Sequence, residues 1–217
     1  MIIAIDGPAG AGKSTVAKVI AQKLGFLYID TGAMYRALTL KILNAEVPVT
    51  DISRITSIAK NTTINLYDNP DGTLRVVLDG GDVSKEIREP KVTQYVSDIA
   101  KIKEVREIMV ALQRHMGEAG DVVLDGRDIG TVVFPLAKRK FYIDANVKER
   151  ARRRHKELVE AGQEVTIEDI EKDVVNRDTI DSSREVGPLK RAPDAMYIDT
   201  TNMTIDEVVD VMLSRIL

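Results

Sequence analysis

The chain has 217 residues, 44% of them hydrophobic and 30% charged, a length that predicts one core domain with room for a small insertion or lid. Its 31 Lys and Arg against 34 Asp and Glu leave a net charge of -3, without the positive excess of a general nucleic-acid binder. Cysteine is absent, which excludes disulfides and thiolate metal sites, and no apolar run approaches the roughly 20 residues of a membrane span, so a soluble cytoplasmic protein is expected.

Ile2 to Ile5 is a short apolar run with Asp6 behind it and no basic flank, which reads as a strand and not as a signal peptide. A glycine-rich stretch, Gly7 to Gly12, leads into a helical pattern from Lys13 to Leu24, stopped by Gly25. A second strand is expected over Phe26–Ile29, then Asp30-Thr31-Gly32, then helices over Ala33–Asn44 and 51–60. Thr63–Tyr67 and Leu74–Leu78 read as a hairpin joined by Asn69-Pro70-Asp71-Gly72. Lys85–Ser97 reads as short helices or irregular structure broken by Pro90, and about 61–97 as an inserted subdomain. Ile102, Val105, Ile108, Met109, Leu112 and Met116 stripe a long helix ending near Gly120. Further strands are expected at Val122–Leu124, Lys140–Ile143 and Ala195–Ile198. Two helices lie between the last two, one from about Asn146 to Gly162 and one from Thr166 to Asn176-Arg177-Asp178. A last helix opens on the capping-box pair Thr204 and Glu207. Short apolar strands alternating with helices predict an α/β fold with a parallel sheet covered on both faces.

Gly7-Pro8-Ala9-Gly10-Ala11-Gly12-Lys13-Ser14 fits GxxxxGK[ST] in full, between a strand and a helix. Small residues let backbone N–H groups converge on phosphate oxygens, and the helix start adds unpaired donors. Lys13 is placed to reach the outer phosphates and Ser14 to hold Mg²⁺. Nucleoside triphosphate binding follows, and the guanine-reading Asn-Lys-x-Asp motif is absent, which favours ATP.

Phosphoryl transfer asks for positioning and positive charge more than for covalent help. Arg36, one turn into the helix after the second strand, and Arg127, after the third core strand, lie at carboxyl ends of a parallel sheet, where its ligand crevice forms. Asp128 beside Arg127 orients it, accepts from a ligand, or only closes a turn with it. Asp125 sits where a Walker B carboxylate belongs, or it caps the turn before Gly126. Residues 148–156 carry six Lys and Arg with Glu149 as the only acid, and Arg150, Arg153 and Arg154 recur on one helical face. Stacked like charges predict a missing polyanion, which a triphosphate supplies; the patch is one helix long, so no nucleic-acid partner is expected. Arg177 and Arg184 extend the basic cavity, and Asp181 is a candidate acceptor for a sugar hydroxyl. His115 and His155 have no metal-ligand spacing. A kinase for another small acceptor and a nucleotide-dependent switch remain the rival readings.

Four stretches, in order, carry a family resemblance: Asp6 through Thr15, Asp30-Thr31-Gly32-Ala33-Met34-Tyr35-Arg36, Leu124-Asp125-Gly126-Arg127-Asp128-Ile129-Gly130, and Asn176-Arg177-Asp178 with Asp181-Ser182-Ser183-Arg184. The first alone belongs to a large superfamily; together they resemble the cytidylate kinase family of bacterial nucleoside monophosphate kinases, over essentially the whole chain. The resemblance implies a P-loop NTPase core of five parallel strands flanked by helices. It adds a CMP-binding insertion at about 61–97 and a mobile arginine-rich lid at about 146–177. It implies transfer of the γ-phosphoryl group of ATP to CMP or dCMP, giving CDP or dCDP and ADP, with Mg²⁺. On this chain it implies ATP contacts from Gly7, Pro8, Ala9, Gly10, Ala11, Gly12, Lys13, Ser14 and Thr15. Lys13, Arg150 and Arg154 would neutralise the triphosphate, and Arg36, Arg127 and Arg184 would clamp the CMP phosphate. Thr31 would border the monophosphate, Ser97, Arg106 and Asp128 would read cytosine, and Asp181 with Arg177 would meet the ribose. Ser97 and Arg106 rest on the resemblance alone. ATP, CMP and dCMP are the expected partners, with a monomer as the default and neither membrane nor nucleic acid.

Overall fold

Strands enclosed in a parallel sheet are apolar on both faces, and β1 (Ile2–Asp6) fits, with Ile3, Ala4 and Ile5 fully buried. The computed structural model describes residues 1–69, 72–118, 120–160 and 162–217. Helix α1 (Lys13–Leu24) follows the glycine loop and ends at Gly25. The Phe26 N–H bonds back to the Ala21 carbonyl, so Phe26 belongs to the helix end and β2 is Leu27–Asp30. No loop separates β2 from α2 (Thr31–Asn44): Asp30 is itself the N-cap, accepting from the Ala33 N–H at 2.8 Å. Helix α3 (Ile52–Lys60) is capped likewise by Asp51.

The strands β3 (Ile64–Asp68), β4 (Leu74–Leu78) and β5 (Gly81–Asp82) form a separate antiparallel sheet. Of the expected β3–β4 connection, Pro70 and Asp71 lie outside the described residues. Pro90 does not break a helix. It starts one, at N1 of α4 (Pro90–Ala100), where its missing N–H costs nothing. An insertion boundary at 97 would therefore cut α4. Helix α5 (Lys103–Gly117) stops before the expected Gly120.

Strand β6 (Val122–Gly126) is buried throughout and leads, past Arg127 and Asp128, into a single π-helical turn over Ile129–Val133 that periodicity does not predict. Next come β7 (Arg139–Asp144), α6 (Val147–Glu160) and α7 (Ile167–Ser182). Helix α7 continues past the expected end at Asp178, so Arg177, Asp178 and Asp181 share one helix. The last elements are β8 (Met196–Asp199) and α8 (Ile205–Ile216), the latter with the expected Thr204–Glu207 capping box.

The five core strands are parallel in the order β2-β6-β1-β7-β8. That order places the ends of β1 and β6 side by side at the sheet's centre, where ligands of open α/β sheets bind. The register sets Asp6 beside Gly126 and Asp30 beside Asp125. One large core encloses the sheet, whereas the α6–α7 hairpin has its own small cluster of Ala151, Ile170 and Val174. Among the described residues no helix is long and apolar enough to cross a membrane.

Candidate active site

The loop after β1 depends on its first glycine. Gly7 has φ +148°, and a Cβ there would fall 1.9 Å from the Ile143 carbonyl oxygen, so only glycine lets the loop pass this close to β7. At the other end Gly12 caps α1 without a side-chain hydrogen bond, which leaves the first helical amides and the dipole to an anion. Lys13 is buried and its ammonium donates to the Pro8 carbonyl at 2.7 Å. Burial, and then the neighbouring Arg127, hold that ammonium below the usual lysine range. The Ser14 hydroxyl donates to Asp125 Oδ2 at 2.8 Å, and the Tyr28 hydroxyl to Asp125 Oδ1 at 2.8 Å. The Asp125 carboxylate thus faces the loop and not the turn after it. Burial, and then Asp30 at the adjacent strand end, push it above the ordinary aspartate value.

The basic run on α6 is not short of acids. Glu149 accepts from both Arg152 and Arg153, Glu157 pairs with Arg154, and Asp178 on α7 pairs with Arg150 at 2.6 Å. The sequence count misses Asp178, which is close only in the fold, and Glu157, one residue beyond the window. Arg150 is 4% exposed, and its three nitrogens reach the Ala145 carbonyl, the Ala9 carbonyl and Asp178. Arg153 donates to Ala11 O, Thr200 Oγ1 and Thr200 O. These two arginines brace the outside of the phosphate loop.

A different set gathers past β6. Asp181, almost fully buried, accepts from Arg127 Nε at 2.7 Å and also binds Arg184. Arg127 and Asp128, adjacent in sequence, do not pair with each other, because Asp128 binds Arg106 from α5. Among the described residues neither Arg36 nor Arg177 has a carboxylate partner; Arg36 reaches only Thr93 Oγ1, at 3.5 Å. Burial lowers Arg36 first, and Arg154, Arg88 and Arg127 lower it further. Arg177 is pushed down to about 9 by burial, then by Arg127 and Arg36. Its Nε has no hydrogen-bond partner, and neither has that of Arg184. Buried arginines without carboxylates that depress one another are the surroundings that a bound anion would relieve.

Arg106 is 1% exposed, binds Asp128 through Nη2 and Ala100 O through Nη1 at 3.2 Å, and lies over the Tyr35 ring at 5.7 Å. Its Nε is unpartnered. Ser97 is buried on α4, and Thr31 donates to the Asp125 carbonyl at 2.7 Å.

The cytidylate kinase family profile matches residues 3–217. The chain belongs to the cytidylate kinase family. It is 54% identical to the cytidylate kinase of Desulforamulus reducens over 98% of this chain and 95% of that one. It is 49% identical to that of Clostridioides difficile over 100% and 98%. A solved structure of an uncharacterized protein from Eubacterium ventriosum aligns with TM-score 0.53 at 11% identity over 100% of this chain and 97% of that chain, a likeness of fold alone. The protein is therefore an enzyme, a P-loop kinase of this family.

In this cytidylate kinase family member most of the sequence-derived residues fall into three groups: Lys13 and Ser14 at the phosphate loop, Arg36, Arg127, Arg177, Asp181 and Arg184 in one cluster, and Arg106 with Asp128 next to Arg184. Arg154 is close enough to Arg36 and Arg177 to depress both. Sequence reasoning missed Tyr28, Asp178 and the role of Asp6. Asp6 accepts from the Ile129 and Gly130 N–H groups at 2.7 Å each, which anchors the turn behind Arg127 and Asp128. A carboxyl ending a buried strand was its only signal; the partners of Tyr28 and Asp178 lie too far off in sequence to leave one.

Proposed function

We propose that the enzyme transfers the γ-phosphoryl group of ATP directly, in line, to CMP or dCMP, giving ADP and CDP or dCDP. The observation that carries this reading is the cluster of buried arginines near Lys13, in which Arg36 and Arg177 have no carboxylate partner among the described residues and Arg127 and Arg184 share Asp181. Two anionic groups must be held together for a phosphate to accept a phosphoryl group, and arginine forks suit that task. The loop amides and Lys13 seat the triphosphate, and Arg36, Arg127 and Arg184 clamp the acceptor phosphate, with Asp181 orienting two of the three. The buried Arg106–Asp128 pair, with Ser97, offers both donors and an acceptor to a cytosine edge, as the names of the relatives suggest. Asp181, already bound to two arginines, meets the ribose through its remaining lone pairs.

Mg²⁺ is bound in such sites by one or two carboxylates together with substrate phosphates. The oxygen set of Ser14 and Asp125, with Asp30 adjacent, fits it. Ser14 and Asp125 would hold the ion, which would supply positive charge to the transferring phosphates. No general base is required, because a phosphate acceptor with a second pKa near 6 is largely ionised at neutral pH. The α6–α7 hairpin acts as the lid, a role its small separate core supports; Arg150 and Arg153 tie its first turns to the phosphate loop, so the moving part lies beyond them. Closure excludes water and limits wasteful hydrolysis.

A coupled ADP-release assay across CMP, dCMP, UMP, AMP, shikimate and sugars, with ATP and Mg²⁺, tests the proposal. Turnover is expected with CMP and dCMP above all others. Preference for AMP or a sugar, or slow ATP hydrolysis indifferent to any acceptor, would refute it.

A further inference from the structure

We propose that Gly187 is a specificity-determining residue. Its lack of a side chain lets the segment after α7 lie directly on the Arg106–Asp128 pair and fixes how that pair meets the acceptor base. The proposal rests on the reading of that pair as the base site.

Gly187 is buried, with φ +60°. A Cβ there would stand 2.2 Å from Asp128 Oδ2, 2.5 Å from Arg106 Nη2 and 2.9 Å from Arg106 Nε. All three are polar tips that form the pair or, for Nε, remain free to donate. The pair is held in one arrangement: Arg106 reaches Ala100 O and lies over the Tyr35 ring, and Asp128 is 5% exposed. The segment is tied down as well. Arg184 binds the Asp181 side chain, and the Leu189 N–H donates to the Asp181 carbonyl at 2.8 Å. One short stretch after α7 thus carries a phosphate arginine at 184 and the cover of the base pair of side chains at 187.

The clash of a methyl group at 187 falls on side-chain tips and not on backbone. The fold can yield by displacing the pair, so the damage appears in recognition before it appears in folding. Backbone strain is a separate effect, because φ +60° disfavours any residue with a Cβ. Strain acts whatever residue stands at 128, whereas the effect on base discrimination needs an intact Arg106–Asp128 pair.

Steady-state kinetics of Gly187→Ala, Asp128→Ala and the double variant, with CMP and UMP as acceptors, separate the two. For Gly187→Ala the KM for CMP is expected to rise about tenfold and the CMP/UMP ratio of kcat/KM to fall by a similar factor, the size of effect that displaced polar contacts produce. The KM for ATP should stay within about twofold, since the phosphate loop is untouched. In the Asp128→Ala background the same change at 187 should leave the CMP/UMP ratio where it is. An unchanged ratio in Gly187→Ala, or losses that simply multiply in the double variant, would overturn the proposal. Failure of Gly187→Ala to fold would also overturn the proposal, which places the damage in recognition before folding. A parent enzyme without turnover on CMP would instead sink the underlying reading of the site.

Discussion

Two groups of arginines surround this site, and they differ in what the chain itself gives them. Arg150 and Arg153, from α6, are satisfied by Ala9 O, Ala11 O, Thr200, Asp178 and Glu149. Among the described residues Arg36 and Arg177 have no carboxylate partner, and burial, followed by the crowding of like charges, lowers both. A saturated guanidinium is a brace, since moving it strands buried partners. An unsaturated one is an invitation to an anion, because only a ligand can compensate its burial. Residue type alone does not separate the two, but the list of partners does. Lys13 stands with the second group although it lies in the loop, because Arg127 helps to depress it.

The contrast is broken or sharpened by substitution. Lys13→Ala removes a positive charge aimed at the transferring group, and kcat should fall by roughly 10³, the upper range for loss of one preorganised donor. Its melting temperature should not fall, as a buried and crowded charge is removed; a large loss of stability with little loss of turnover would move Lys13 among the braces. Arg127→Ala should weaken binding of CMP by about 2–4 kcal/mol, as for a truncated buried charge partner. ATP affinity should change far less, and equal losses at both ligands by calorimetry would erase the division between the two sides. Arg150→Ala should behave oppositely. It leaves Asp178 and two carbonyls without a donor, and a broken buried pair costs about 3–5 kcal/mol of stability. Denaturant unfolding measures that loss. If the variant unfolds like the parent yet loses ATP affinity, Arg150 is a phosphate ligand as first expected.

Local signals carried most of the fold. Continuous apolar runs located the core strands, and the capping residues at Thr166 and Thr204 marked helices that begin there. The errors have local causes too. Asp30 serves as strand end and helix cap at once, so an expected loop vanishes. Pro90 is read as a breaker when it is an N1 residue. The π-helical turn after Asp128 depends on Asp6, a partner more than a hundred residues away whose carboxylate takes two N–H groups. The site divides in the same manner. The glycine loop is contiguous and readable from spacing, whereas Arg106 draws its meaning from Asp128 and Tyr35, and Gly187 from both members of a pair built by other elements. Counting charges along α6 suggested unmet positive charge where Asp178 and Glu157 meet it.

The smallest expected effect tests the brace side at its surface. Glu149 accepts from Arg152 and Arg153, and these bonds, Arg152 foremost, pull its carboxyl down to about 2 from an ordinary 4.5. Asn146 caps the same helix end, its Oδ1 accepting from the Glu149 N–H at 2.8 Å. A carboxyl lowered in the folded state binds fewer protons there than in the unfolded chain, so it stabilises above about pH 4.5 and loses that contribution as pH falls toward 2. Solvent screens the pair, for Arg152 is 65% exposed, and the net worth at neutral pH is held to about 0.5–1 kcal/mol. Glu149→Gln should therefore melt slightly below the parent from pH 5 to 8, and the two curves should converge on acidification. If the gap persists undiminished at the lowest pH at which the parent still folds, the glutamate acts through packing and not through its charge.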